Sequence, residues 1–117
     1  MGRDILRTLD AADFPVSVAL WILRRKERND DWELVLGTPL RDKLGAHEAY
    51  LRLIKALSKE ASAALSDVPI RLESNRRPFI RALRKTFGKA ASVEGMRLGL
   101  QSIGDTWIDD AYVYRIK

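Results

Sequence analysis

Residues 14–23 read Phe-Pro-Val-Ser-Val-Ala-Leu-Trp-Ile-Leu and form the longest apolar run in the chain. Polar Ser17 interrupts the run, which has about half the length that is needed to span a bilayer. Near-continuous apolar character over such a length is typical of a β-strand that is buried on both of its faces. The stretch therefore predicts a fully buried strand in a soluble protein.

The residues on either side of this run predict a hairpin and a helix. Residues 24–31 are polar and fit the end of the strand and a turn, whereas residues 32–36 alternate between apolar and polar side chains. This pattern is typical of a β-hairpin. Before the apolar run, residues 4–12 have the apolar spacing of a short amphipathic helix.

The remainder of the chain predicts further helices and strands. A long helix is expected over residues 46–66, after a helical turn that Thr38 and Pro39 begin and a break at Gly45. Alternation and turn residues then predict, in order, a strand at Ile70–Glu73, a helix at Pro78–Phe87 that Gly88 caps, and strands over residues 96–101 and 108–116.

Together these elements predict an α+β fold in the order αββαβαββ. The 117 residues are expected to form a single domain, because a chain of this length is too short for two good cores. Two hairpins and a middle strand predict a mainly antiparallel five-stranded sheet with helices packed on one face. The order of the strands within that sheet does not follow from the sequence.

Composition excludes several classes of functional site. The chain has no cysteine, so a disulfide scaffold, a thiolate zinc site, an iron–sulfur cluster and a cysteine nucleophile are all excluded. The first residues are amphipathic, unlike the apolar core of a signal peptide. These features predict a cytoplasmic protein with no membrane partner.

The net charge of +5 is concentrated in one segment. Residues 71–89 contain seven basic residues against the single acidic residue Glu73, whereas the rest of the chain is nearly balanced. In the predicted helix Pro78–Phe87, apolar and basic residues fall on opposite faces. Because planar guanidinium groups match phosphate oxygens, this pattern predicts a surface for nucleic acid, an acidic protein surface or another polyanion. The candidate binding residues are Arg76, Arg77, Arg81, Arg84, Lys85 and Lys89.

The basic face also has a simpler interpretation. It is equally typical of a solvated helix whose charges are matched by carboxylates from elsewhere in the fold, such as Asp30, Asp31 or Asp109. No base-reading motif accompanies it, since the ribonucleoprotein aromatic motif, the zinc-finger spacing and the helix-turn-helix pattern are all absent.

Two other functions stay open at this point. The C-terminal hairpin is rich in aromatic residues, namely Trp107, Tyr112 and Tyr114. This pattern favours a protein-interaction or self-association module. Stacking of nucleic-acid bases on these three rings is a weaker hypothesis. A cluster of carboxylates would suit magnesium in a small metal-dependent nuclease, with Asp105, Asp109 and Asp110 as ligands.

Other catalytic patterns are weak. His47 is the only histidine, and Leu51 stands where a zinc-protease motif needs a second one. The residues favour a small non-enzymatic basic binding module with no cofactor and no metal. Homo-oligomers are compatible with the sequence, which leaves the oligomeric state open.

Overall fold

The computed structural model describes residues 2–25, 30–58, 69–88 and 93–117. The helices within these residues are α1 (Gly2–Ala11), α2 (Pro39–Ser58) and α3 (Pro78–Phe87). The strands are β1 (Val18–Arg25), β2 (Asp30–Gly37), β3 (Ile70–Glu73), β4 (Arg97–Leu98), β5 (Gln101–Ile103), β6 (Thr106–Ile108) and β7 (Ala111–Ile116).

Five of the strands form one mixed sheet in the order β3-β2-β1-β7-β4. β1 pairs antiparallel with β2 and with β7, and β4 pairs antiparallel with β7, whereas β3 lies parallel to β2. The α+β class and the hairpin of β1 with β2 are therefore confirmed. Strands β5 and β6 form a separate two-stranded hairpin.

The predicted arrangement of the sheet differs from the observed one in two respects. The sheet is mixed, because α2 returns the chain across the sheet and a strand that follows such a crossover lies parallel to the strand before it. The last two predicted strands each divide into two shorter ones, which gives the order αββαβαββββ in the described residues. Leu100 has a positive φ of 51° and interrupts the first of them.

The side chains of β1 alternate between two separate cores. On one side, Val18, Leu20 and Ile22 are buried against α3 and the β5–β6 hairpin. On the other side, Ala19 packs in the core that α1 and α2 form. Helices therefore cover both faces of the sheet, and the prediction that they lie on one face is wrong. An apolar strand has no polar face that could be left in water, so each of its faces needs a cover.

Two predicted features of α2 are confirmed. The hydroxyl oxygen of Thr38 accepts a hydrogen bond from the backbone N–H of Leu40 at 3.2 Å, which caps the first turn. Gly45 has φ 81° and ψ 170°, so it separates this turn from the main part of the helix. The predicted end of the helix, residues 59–66, lies outside the described residues.

The β5–β6 hairpin rests on the start of α3. Gly104 in its turn has a φ of 60°, and a Cβ atom at this position would lie 2.5 Å from the carbonyl oxygen of Pro78. This close approach of two backbones requires glycine. The inner side chains of the hairpin and those of α3 are buried in one core. This core includes Ile103 and Ile108 of the hairpin and Phe79, Ile80 and Leu83 of α3.

The contact between the hairpin and α3 predicts an unusually costly glycine substitution. We expect Gly104→Ala to lower the free energy of unfolding by about 2–3 kcal/mol, because it combines a strained φ with a clash against rigid backbone. Gly95→Ala is the matched control, since Gly95 also has a positive φ, of 87°, but the nearest atom to its added Cβ is 3.6 Å away. The control should lose about 1 kcal/mol. Urea unfolding measures both values, and equal losses would contradict the contact.

Candidate polyanion-binding surface

Helix α3 lies on the sheet through its apolar side and turns basic residues to solvent. Phe79, Ile80 and Leu83 are buried in the sheet-facing core. Arg81, Arg84 and Lys85 are exposed, and Arg76 is exposed in the loop that precedes the helix. We call these four residues, Arg76, Arg81, Arg84 and Lys85, the α3 cationic face. Of the other two candidate residues, Arg77 is half-buried and Lys89 lies outside the described residues.

Arg77 is engaged in an ion pair. Its Nη1 donates a hydrogen bond to Oε1 of Glu73 at 2.6 Å, and Arg71 lies 3.8 Å from the same oxygen. The hydrogen bond to Glu73 raises the pKa of the Arg77 guanidinium, and the charge of Asp105 raises it further. Arg77 therefore ties the loop before α3 to Glu73 at the end of β3, and we assign it a structural role rather than a place in the exposed basic surface.

Arg84 is tied to the C-terminal end of β7. Its Nε donates a hydrogen bond to the main-chain oxygen of Lys117 at 2.8 Å. A guanidinium has five N–H donors, so this bond fixes the side chain beside the sheet edge and leaves four donors for other groups.

Among the described residues, the remaining members of the α3 cationic face have no charged partner. In the part of the chain that the structure describes, the side chains of Arg76, Arg81 and Lys85 make no hydrogen bond or ion pair. Their charge is therefore directed to solvent, in contrast to that of Arg77.

Hydrogen bonds to α2 hold the loop that carries Arg76. The hydroxyl of Ser74 donates to one carboxylate oxygen of Asp42 in α2, and the other oxygen accepts from the backbone N–H of Asn75 at 3.3 Å. The oxygen of Ser74 in turn accepts from the backbone N–H of Arg76 at 3.0 Å. The backbone position of Arg76 relative to α3 is therefore defined.

The hairpin beside α3 exposes a tryptophan. Trp107 in β6 is 55% exposed, whereas its neighbour Ile108 is completely buried. Because side chains alternate along a strand, Trp107 points away from the core and towards solvent. Its indole Nε1 donates a hydrogen bond to Oδ1 of Asp109 at 3.3 Å.

The other C-terminal aromatic residues belong to a different surface. The rings of Tyr112 and Tyr114 lie 5.0 Å apart, and Tyr114 packs against the core of α1 and α2. Burial raises the pKa of Tyr114. The sequence-based grouping of these two rings with Trp107 is therefore wrong, since the sheet separates them.

The acidic residues near the C-terminus do not form a cluster. Asp110 accepts hydrogen bonds from Nε and Nη2 of Arg97 at 3.2 and 2.5 Å, and Asp105 accepts one from the hydroxyl of Thr106 at 3.0 Å. Among the described residues, no group of three or more His, Asp, Glu or Cys side chains is arranged to hold a metal ion. His47 is exposed on α2. The hypothesis of a metal-dependent nuclease thus has no site in this part of the chain.

Comparison of the chain with protein-family models, curated proteins and solved structures finds no match. Of the helices in the described residues, none has the length and apolar character needed to cross a membrane.

The geometry predicts different roles for two neighbouring arginines. Arg77→Ala should lower the free energy of unfolding by about 1 kcal/mol, because it leaves the largely buried Glu73 without its nearest cation. Arg81→Ala should leave the free energy of unfolding within about 0.5 kcal/mol of the original value, since its side chain is exposed and has no partner among the described residues. Chemical denaturation measures both, and a loss for Arg81→Ala that equals or exceeds that for Arg77→Ala would contradict the assignment.

Proposed function

We propose that this protein is a small non-enzymatic module that binds a polyanion, nucleic acid foremost, through the α3 cationic face. The observation that supports the proposal most strongly is the exposure of Arg76, Arg81 and Lys85 without a carboxylate partner in the described residues. Arg84 adds an exposed guanidinium that uses one of its donors on the main-chain oxygen of Lys117.

The positions of these charges along the helix favour a ligand over a purely structural role. Cations stabilise the last turn of a helix, where the macrodipole is negative, and this accounts for Arg84 and Lys85. The first turn of α3 contains no acidic residue, and Arg76 and Arg81 lie at this end, where the macrodipole disfavours cations. Arg81 and Lys85 also repel each other at i,i+4 spacing by a few tenths of a kcal/mol.

A bound anion would offset both the unfavourable interaction of the cations with the helix dipole and the repulsion between Arg81 and Lys85. Phosphate oxygens would accept hydrogen bonds from the guanidinium groups of Arg76 and Arg81, which present planar forks of donors. Contacts with four phosphates of a single strand would release condensed counterions, so the logarithm of the binding constant should fall with the logarithm of the salt concentration with a slope of about −3.

Charge reversal on α3 tests the proposal. Arg81→Glu combined with Lys85→Glu should weaken the binding of fluorescently labelled oligonucleotides at low salt by at least about tenfold, because two phosphate contacts become repulsive. Fluorescence anisotropy measures the affinity at several salt concentrations, and circular dichroism verifies that the variant is folded.

The matched control is Arg7→Glu combined with Arg52→Glu. These exposed residues lie on α1 and on the main part of α2, the two helices that cover the sheet face opposite α3, and the double substitution changes the net charge by the same amount. The control should bind nearly as well as the original protein. Equal weakening in both double variants would show that binding follows overall charge, and unchanged binding in the α3 variant would remove the proposal.

A second candidate function is a protein-interaction or self-association module that uses the C-terminal hairpin region. Leu100 is 76% exposed and Trp107 is 55% exposed, and apolar side chains of this size often mark an interface. Light scattering of the isolated protein tests self-association, for which a monomer at all concentrations would be the contrary result.

A further inference from the structure

We propose that the polyanion is a single-stranded nucleic acid, with one base stacked on Trp107 and its phosphates on the α3 cationic face. This inference rests on the function proposed above and specifies the ligand of the same surface. It follows from the way the hairpin and the helix share one layer of the fold.

The first step is that α3 and the β5–β6 hairpin cover the same face of the sheet. Their inner side chains, Ile103 and Ile108 of the hairpin and Ile80 of the helix, are buried in one cluster with the sheet. The turn of the hairpin touches the start of the helix, where Gly104 meets Pro78. Because both elements turn their inner sides to one sheet face, their outer sides face the same solvent.

The second step concerns the orientation of the indole ring. Trp107 points outward from the hairpin, and its Nε1 hydrogen bond to Asp109 lies in the plane of the ring. This bond holds the ring by its edge and occupies neither of its two faces. The fold thus presents an exposed aromatic side chain in the same layer as a basic helix, and this is the combination that binds single strands.

The third step selects a single strand over a duplex. Bases in a duplex are stacked on one another, whereas each base of a single strand has a π face that an aromatic side chain can cover. The exposed carboxylate of Asp105 lies at the turn of the hairpin and repels phosphates. We therefore expect the phosphate backbone to follow α3 and the bases to turn towards the hairpin.

The experiment compares a single-stranded pyrimidine oligonucleotide with an abasic strand of the same length. Both strands carry the same phosphates, so their difference in affinity isolates the bases. The original protein should bind the base-containing strand about 5- to 150-fold more tightly than the abasic one. Trp107→Ala should remove most of this difference without changing the slope of affinity against salt, and Trp107→Phe should restore part of it.

Trp32→Ala provides the matched control. Trp32 is 39% exposed on β2, on the sheet face that α1 and α2 cover, so its loss should leave the preference for bases intact. Circular dichroism verifies folding of each variant, and the exposure of Trp107 makes a large loss of stability unexpected.

The outcomes separate this inference from the proposed function. If both strands bind equally and Trp107→Ala changes nothing, while charge reversal of Arg81 and Lys85 still weakens binding, stacking is overturned and polyanion binding stands. Tighter binding of duplex than of single strand would likewise overturn the choice of ligand. If the original protein binds no strand at low salt, both proposals fail.

Discussion

The architecture depends on the burial of β1 on both of its faces. Val18, Leu20 and Ile22 point to one side of the sheet and Ala19 to the other, and all four are completely buried. A strand without a polar face must lie inside a sheet that is covered twice, because its exposure on either side would leave apolar surface in water. This requirement places α1 and α2 on one face, and α3 with the β5–β6 hairpin on the other.

The covering role of α3 also explains how a basic surface forms on so small a domain. Three inward positions, Phe79, Ile80 and Leu83, attach the helix to the sheet, so its outer side is free to carry charge. Arg77 differs from its neighbours because Glu73, at the end of β3, lies within reach and binds it. The fold therefore compensates two cations of residues 71–89, since Glu73 binds Arg77 and Glu33 lies 3.0 Å from Nε of Arg71, and it leaves others directed to solvent. Their arrangement opposes the helix dipole at the start of α3, a local cost to stability that a bound anion would offset.

Local sequence patterns allowed much of the fold to be predicted. The pairing of strands that are distant in sequence could not be predicted from them. The apolar run of β1, the alternation in β2 and the opposite faces of α3 are properties of short segments, so the sequence revealed them. The parallel pairing of β3 depends on the path of α2, and the break at Leu100 depends on a positive φ, which no periodicity shows. The four-residue spacing of Glu73 and Arg77 was a usable signal for their ion pair, but it spans a strand end, a loop and a helix start. Trp107 was grouped with the tyrosines because alternation alone does not reveal that the chain changes sheet between β6 and β7.

The most direct test of the account is a titration of the isotopically labelled protein with a single-stranded oligonucleotide, followed by NMR at the backbone amides and the indole N–H groups. The central claim is that the outer sides of α3 and of the hairpin form one binding surface. It predicts that chemical shifts change over residues 76–86 and 102–107, including the indole N–H of Trp107, while α1 and α2 stay unaffected. Changes centred on α1 or α2, or spread evenly over the surface, would contradict it.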